Sequence, residues 1–378
     1  MSNDVRTEVV TLESMGGRGT KVLIDRATNY ELTTDLTAPS EARFELGDNG
    51  TWAAIKDALA IGRRFRVALN GRSLLCGRML MRGMPVNANA GATVQCTVRT
   101  MLADAAFTSC DQFNVKGATL KTLVLKAYQS IGATELDFNF NADVDRDLIT
   151  GKGKNTGATV NLSTITEQDA RVQPPETVFS FVDRHLRRFN LMHRDGHDGR
   201  IVVFSPNDKQ SASYLLQMRR DAPRGNNITD ARRTEDYEQV PGEIFVYGQG
   251  GGRDYTRARV SASVTDPTLL AAVPVLRRRT MVIDESVTTQ ALAQARAKRE
   301  MAMRSLQRDS WDITTASWCH YYSTRYFPYA VDTVADLYVD VLGGVSAPYY
   351  IWRVTYSGSP QDAHTARLTM AAKGVFVV

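Results

Sequence analysis

Apolar and polar positions alternate with a period of two in several short runs of this chain, and each run ends in a turn. Arg64-Phe65-Arg66-Val67-Ala68-Leu69 puts Phe65, Val67 and Leu69 on one face; Asn70-Gly71 and Leu74-Leu75-Cys76-Gly77 follow. Near the other end, Asp336-Leu337-Tyr338-Val339-Asp340-Val341 puts Leu337, Val339 and Val341 on one face, before Gly343-Gly344 and a run through Tyr350-Ile351-Trp352. In both places the pattern predicts a strand, a tight glycine turn and a return strand. One more alternating strand follows each hairpin, with Val94, Cys96 and Val98 inward in the first copy and Ala366, Leu368 and Met370 inward in the second. Self-similarity of this kind predicts a duplicated antiparallel unit.

The first unit spans about Thr20 to Thr100, with strands at Val22–Asp25 and Ala42–Leu46 and a short helical connector over Trp52–Leu59. Many short strands in one unit suit a small barrel or sandwich. The second unit reads as split. Gly242–Gly248 resembles Ser40–Gly47, each after a proline (Pro241, Pro39), and the other half begins near Trp311. The residues between them hold a glycine-rich loop, Arg277-Arg278-Arg279 and a helix from about Ser286 through Glu300, with Leu292, Ala295 and Met303 on a narrow face. Between the two units, Leu120, Leu123, Val124, Ala127 and Ile131 mark an amphipathic helix that Gly132 stops. Pro175-Glu176 opens a second helix with a stripe of Val178, Phe181, Val182, His185 and Phe189, and Gly199–Phe204 reads as a turn and a strand. The expected class is α+β, mainly β. The expected parts are 1–103, a first barrel; 104–205, an α+β domain; 206–250 with 309–378, a second, split barrel; and 251–308, an inserted segment with the long helix.

At 378 residues, with 43% hydrophobic and 23% charged, the chain has material for two to four buried cores. Lys plus Arg (46) exceeds Asp plus Glu (41) by only +5, which argues against a dedicated nucleic-acid binder. Cys76, Cys96, Cys110 and Cys319 form no CxxC pair or zinc spacing and read as reduced, buried thiols, with Cys76 and Cys96 on strands of one barrel. The polar start lacks the apolar core of a signal peptide, and no run approaches a membrane span.

Candidate chemistry is sparse. His193 and His197 are four apart, but two Asp-Gly pairs break any helix there, so a solvated loop is expected rather than a metal site. His185 reads as a boundary residue, and His320 and His364 have no acid partner in sequence. Gly248–Asp254 lacks the last glycine of a dinucleotide fingerprint, and Gly151-Lys152-Gly153-Lys154-Asn155 has Asn where a P-loop needs Ser or Thr. Asp143, Asp145 and Asp147 alternate without EF-hand spacing and read as a solvated loop before a cation site. Arg63-Arg64 and Arg277–Arg279 suit phosphates or acidic partners less well than a plain exposed basic face. No serine sits in a nucleophile elbow. No catalytic, cofactor-binding or metal-ligating residue is assigned, and no cofactor is expected.

Several motifs in their order resemble the baseplate hub proteins of contractile-tailed phages, the Mu-like hub or tail protein D (late control protein D) family. They are Phe44-Glu45-Leu46-Gly47, Val67-Ala68-Leu69-Asn70-Gly71 with Leu75-Cys76-Gly77, Val246-Tyr247-Gly248-Gln249, the Ala/Arg helix around Ala295, and Tyr350-Ile351-Trp352-Arg353-Val354. The chain departs from the family pattern at Gly250-Gly251-Gly252. The resemblance implies two tail-tube-like barrels per chain and a homotrimeric ring of six barrels that joins a six-fold tube to a three-fold spike. It also implies a non-enzymatic virion component of the tail baseplate, assembled in the bacterial host cytoplasm. The implied partners are the central spike, tail tube, tape measure and baseplate wedge proteins, with transient passage of DNA and no membrane insertion. The alternatives are the hub of a tailocin or type VI-like injection particle, a baseplate-associated cell-wall hydrolase, and a nucleic-acid-binding module.

Overall fold

The structure, a computed structural model, describes residues 10–15, 21–23, 27–47, 59–87, 91–140, 161–221, 225–238, 240–249, 259–272, 278–284, 287–306, 308–322, 325–340, 344–359 and 364–376. The sequence readings at Trp52–Ala58, Asp143–Asp147, Gly151–Gly157, Gly250–Asp254 and Arg277 lie outside these residues.

The first barrel contains β1 (Val10–Met15), β2 (Lys21–Leu23), β3 (Ala27–Asp35), β4 (Glu41–Gly47), β5 (Arg64–Leu69), β6 (Arg72–Gly83), β7 (Val86–Asn87) and β8 (Gly91–Arg99). They pair antiparallel in the order β3-β4-β8-β6-β5-β1-β2. The alternation seen in the sequence is what folds them. Ala42, Phe44 and Leu46 of β4 point inward, as do Phe65 and Val67 of β5 and Val94, Cys96 and Val98 of β8.

The α+β segment contains α1 (Met101–Phe107), β9 (Asn114–Thr119), α2 (Leu120–Tyr128), β10 (Phe138–Asn139), β11 (Thr166–Arg171), α3 (Val178–Leu186), β12 (Met192–Asp195) and β13 (Ile201–Phe204). The helices share an apolar core with β13, built on Leu123, Val124, Phe181, Val182 and Ile201. The first predicted helix ends as expected: a single 3-10 turn follows α2, and Gly132 takes a left-handed conformation with φ of 75°. The second helix begins later than Pro175-Glu176 predicts. Thr177 is its N-cap, accepting the Ser180 N–H at 3.2 Å while Ser180 Oγ accepts the Thr177 N–H at 2.9 Å. Glu176 instead clamps Arg184 through two hydrogen bonds of 2.7 and 2.9 Å.

The remaining elements are β14 (Tyr214–Met218), β15 (Ile228–Glu235), β16 (Glu243–Gln249), β17 (Arg259–Thr265), α4 (Pro267–Ala272), β18 (Arg279–Ile283), α5 (Gln290–Ser305), β19 (Asp309–Thr315), β20 (Cys319–Tyr322), β21 (Arg325–Pro328), β22 (Thr333–Val339), β23 (Val345–Gly358) and β24 (Thr365–Ala372). The second barrel runs β15-β19-β24-β23, with β22 beside β23 and β14 parallel to β22.

One strand match made from sequence is corrected here. Residues 243–249 are not the counterpart of 41–47: β16 pairs with β17 and β18 in a separate three-stranded sheet covered by α5. The strand that occupies the place of β4 is β19, since β4 pairs with β8 and β19 with β24. Both segments alternate, and alternation does not name a partner.

The buried residues of α5 are also not those predicted. Ala293, Ala297 and Met301 pack on Ile244 and Val246, while Leu292, Ala295 and Met303 are only half-buried. Alanines let the helix lie close to the sheet. Two arginines are buried with them: Arg296 contacts Asp284 (3.5 Å) and Glu300 (2.8 Å), and burial pushes the Arg299 guanidinium down to about 10. Ala302 and Leu306, at the end of α5 and just past it, join the barrel core. No described helix is long and apolar enough to cross a membrane.

Candidate functional site: the edge where the two barrels join

The two barrels form one continuous sheet because β23 serves both. Val345–Ile351 of β23 pairs with β22, while Arg353–Gly358 pairs on the same side with β3 of the first barrel. The junction is antiparallel and in register from Arg353↔Asp35 to Gly358↔Tyr30. Leu36 N–H extends it by donating to Trp352 O at 3.1 Å. Side chains reinforce the seam. Arg353 Nε donates to the buried Asp35 at 2.5 Å, Thr33 and Thr355 hydroxyls meet at 3.3 Å, and Tyr30 OH meets His364 Nε2 at 2.6 Å. Trp318 is fully buried against Tyr30 of β3 and Tyr356 of β23, with ring centroids 5.5 and 5.0 Å away. Its indole N–H donates to Ser357 O at 2.9 Å.

Register shows how deep the duplication runs. β3 is bulged at Thr28 against β4, and β15 at Thr229 against β19. β6 is bulged at Leu80 against β8, and β23 at Trp352 against β24. Aligning the bulges places Val98 with Met370, Cys96 with Leu368 and Val94 with Ala366, as the alternation predicted. Phe65 aligns with Ala335 rather than Leu337, a slip of two residues that keeps the same face. Even the turns correspond. Gly62 (φ 85°) donates its N–H to Met79 O at 2.8 Å, and Asp332 (φ 58°) donates to Ile351 O at 3.0 Å.

The histidines singled out in the sequence are packed against identifiable neighbours. The hairpin of β12 and β13 is stapled to the first barrel. His197 Nδ1 lies 2.9 Å from Leu74 O, and Ser73 Oγ donates to His197 O. Gly199, with φ of 86°, lies so close to Cys76 that a Cβ there would stand 2.6 Å from the cysteine Cβ. His197 is therefore buried rather than in a solvated loop; His193 is buried too, against Phe179 and Tyr128, and His185 is fully buried rather than at a boundary. His364 is held by Tyr30 and Trp318, and His320 packs beside Tyr214. Arg63 and Arg64 are exposed; Arg279 is exposed and pairs with Glu243 at 3.0 Å. All four cysteines are buried, and burial pushes Cys96 and Cys110 up to about 11, away from nucleophilic use. Among the described residues no three His, Cys, Asp or Glu side chains gather around one metal-sized position.

Two neighbours on β12 titrate in opposite senses. Burial lowers His193 to about 4, so the native ring stays neutral; burial raises Asp195 to about 6 although Ser40 N–H donates to it at 2.8 Å. The two are linked to stability with opposite signs. His193 loses stability as pH falls from its unfolded value near 6.5 through 4. Asp195 contributes stability that is full below 3.8 and is lost as pH rises through 6, so acidification restores it. In the native chain these trends offset. We expect Asp195→Asn to make stability fall more steeply than wild type between pH 6.5 and 4.5, read from urea midpoints. Equal slopes would show that Asp195 does not carry this linkage.

No protein-family model matches the chain, and neither does any curated protein sequence. Solved structures do match. A tail protein from Neisseria meningitidis MC58 superposes with a TM-score of 0.72 at 17% identity, covering 98% of this chain and 98% of its own. The 43 kDa tail protein of prophage MuSo2 from Shewanella oneidensis gives 0.71 at 15% identity, over 98% and 99%. This chain has the phage tail protein fold. The match runs nearly end to end, so both barrels, their junction and the segments between them belong to the shared architecture. A more distant likeness (0.54, 10% identity, 96% and 76% covered) is to an Escherichia coli component of the type VI secretion system, itself described as structurally similar to T4 tail proteins gp27 and gp5.

Proposed function

We propose that this chain is a structural, non-enzymatic phage tail component: the baseplate hub, a homotrimer whose six barrels form one ring between a six-fold tail tube and a three-fold spike. One observation carries this reading. The chain holds two barrels with the same strand order and two bulges in common, joined side by side through β23 and β3. A duplicated unit presents six near-equivalent positions to one neighbour and three identical ones to another, which is what a symmetry adaptor requires. The end-to-end likeness to tail proteins supports it. On this reading the parts are a first barrel to about residue 103, an α+β domain to about 205, a second barrel split around an inserted unit, and that unit, which starts before Glu243 because β16 belongs to its sheet. The partners are the spike, tube, tape measure and baseplate wedge proteins, and DNA crosses the ring in transit. The place of action is the virion tail baseplate, after assembly in the host cytoplasm. The type VI likeness keeps the hub of another injection particle as a second reading of the same architecture.

The test is the mass of the purified chain, 41.8 kDa per copy, by light scattering over a concentration series. We expect a species of three copies. A monomer at every concentration that also fails to assemble on adding its spike protein would overturn the ring.

A further inference from the structure

Inside one chain, β23 of the second barrel meets β3 of the first. Each of these strands has a counterpart in the other barrel, and both counterparts present an edge that no described strand covers. β15, the counterpart of β3, pairs with β19 on one side, and Asp230, Arg232, Arg233 and Glu235 are exposed. β6, the counterpart of β23, leaves β5 behind after Arg78, and Met79 closes the turn with Gly62 and Arg63. Beyond that point Leu80, Met81, Met84 and Val86 are 40, 56, 54 and 79% exposed. A bare strand edge lined with large apolar side chains invites pairing with another strand.

We propose that the Leu80–Val86 edge of one copy pairs antiparallel with β15 of the next copy, repeating between copies the junction that β23 and β3 make within each. The proposal rests on the ring reading and names its interface. Transferring the internal register through the shared bulges sets Arg82 opposite Glu235, Gly83 opposite Thr234, Met84 opposite Arg233 and Val86 opposite Ala231.

Backbone direction offers an independent check. Thr93 N–H donates to Pro85 O at 3.1 Å, so position 85 faces β8, and 84 and 86 face outward. The N–H that proline lacks is therefore missing from the inner ladder, not from the free edge. On β15, Asp236 N–H donates to Arg308 O at 2.9 Å, so position 236 faces β19, and 231, 233 and 235 face outward. Outward positions of one edge thus fall opposite outward positions of the other, as a ladder demands. Arg82 opposite Glu235 adds a charge match. The occupant that fits is a second copy of this chain, because the same strand pair is already joined inside it.

Gly83 and Thr234 would form a non-hydrogen-bonded pair, with Cα atoms about 4.5 Å apart, within disulfide reach. A Cβ at Gly83 would meet only Gln95, at 3.7 Å, and the native cysteines are buried. Mixing the single variants Gly83→Cys and Thr234→Cys under mild oxidation should give a disulfide-linked dimer. The double variant should give a covalently closed trimer on non-reducing gels. A non-cysteine variant, Met84→Lys, places a second cation opposite Arg233 and should shift trimer assembly to roughly tenfold higher protein concentration. A wild-type trimer that neither cross-links nor responds to Met84→Lys would overturn the junction and leave the ring standing. A chain that stays monomeric and uncross-linked even with its spike protein added would overturn both.

Discussion

Replacing Trp318 with alanine should lower stability by about 3–5 kcal/mol, the range for emptying a large aromatic site in a packed core. The indole has no exposed surface and touches both barrels at once, through Tyr30 on one side and Tyr356 on the other. Its loss also leaves Ser357 O without the indole donor. The damage should therefore centre on the seam. We expect the urea midpoint to fall, and amide exchange to rise first along β3 and the Arg353–Gly358 half of β23. Trp318→Phe should recover part of the midpoint by restoring ring volume without the N–H. Exchange that rises evenly through both barrels would show that the indole is ordinary core and not a clasp.

The second large effect is expected at Asp332, which combines two costs in one residue. It is fully buried with φ of 58°, and its Oδ1 accepts the buried Tyr350 hydroxyl at 2.7 Å. Asp332→Ala should cost about 2–5 kcal/mol: roughly 1–2 for a left-handed backbone that alanine resists, and 1–3 for the stranded hydroxyl. Asp332→Gly should keep only the second cost, since Gly62 holds the same turn in the other barrel. Adding Tyr350→Phe to Asp332→Gly should then return most of the rest. Denaturation midpoints of the three variants and the wild type decide the matter; equal midpoints for alanine and glycine would remove the backbone contribution.

The barrels were legible in the sequence because a half-buried strand must alternate. The alternation alone aligns Val94, Cys96 and Val98 with Ala366, Leu368 and Met370, and the structure keeps that alignment. The alternation at 243–249 was equally clear, yet it misled, since β16 and β19 show the same period and only pairing tells them apart. The reach of β23 past Trp352 was hidden for a related reason: nothing local marks where a strand exchanges one partner for another. The histidines failed differently. His197 looks like a surface residue among Asp and Gly, but its burial is set by a hairpin docking on a barrel more than a hundred residues away in sequence, while His185 and His193 are buried against Phe181, Phe179 and Tyr128 of the α+β segment. The exposed Leu80–Val86 edge could have been noticed as an apolar run after a strand, although its meaning needed the occupied counterpart in the other barrel.

The β3–β23 seam also sets an order of events during synthesis. About 310 residues separate the end of β3 at Asp35 from the start of β23 at Val345. At about 5–20 residues per second, the ribosome takes roughly 15–60 s to supply the strand that covers β3. Throughout that interval the first barrel can mature around its own partners while one flank stays open to any passing chain. Neighbouring ribosomes on one message carry the same unfinished barrel, so crowding on the messenger is where misassembly of this protein would begin.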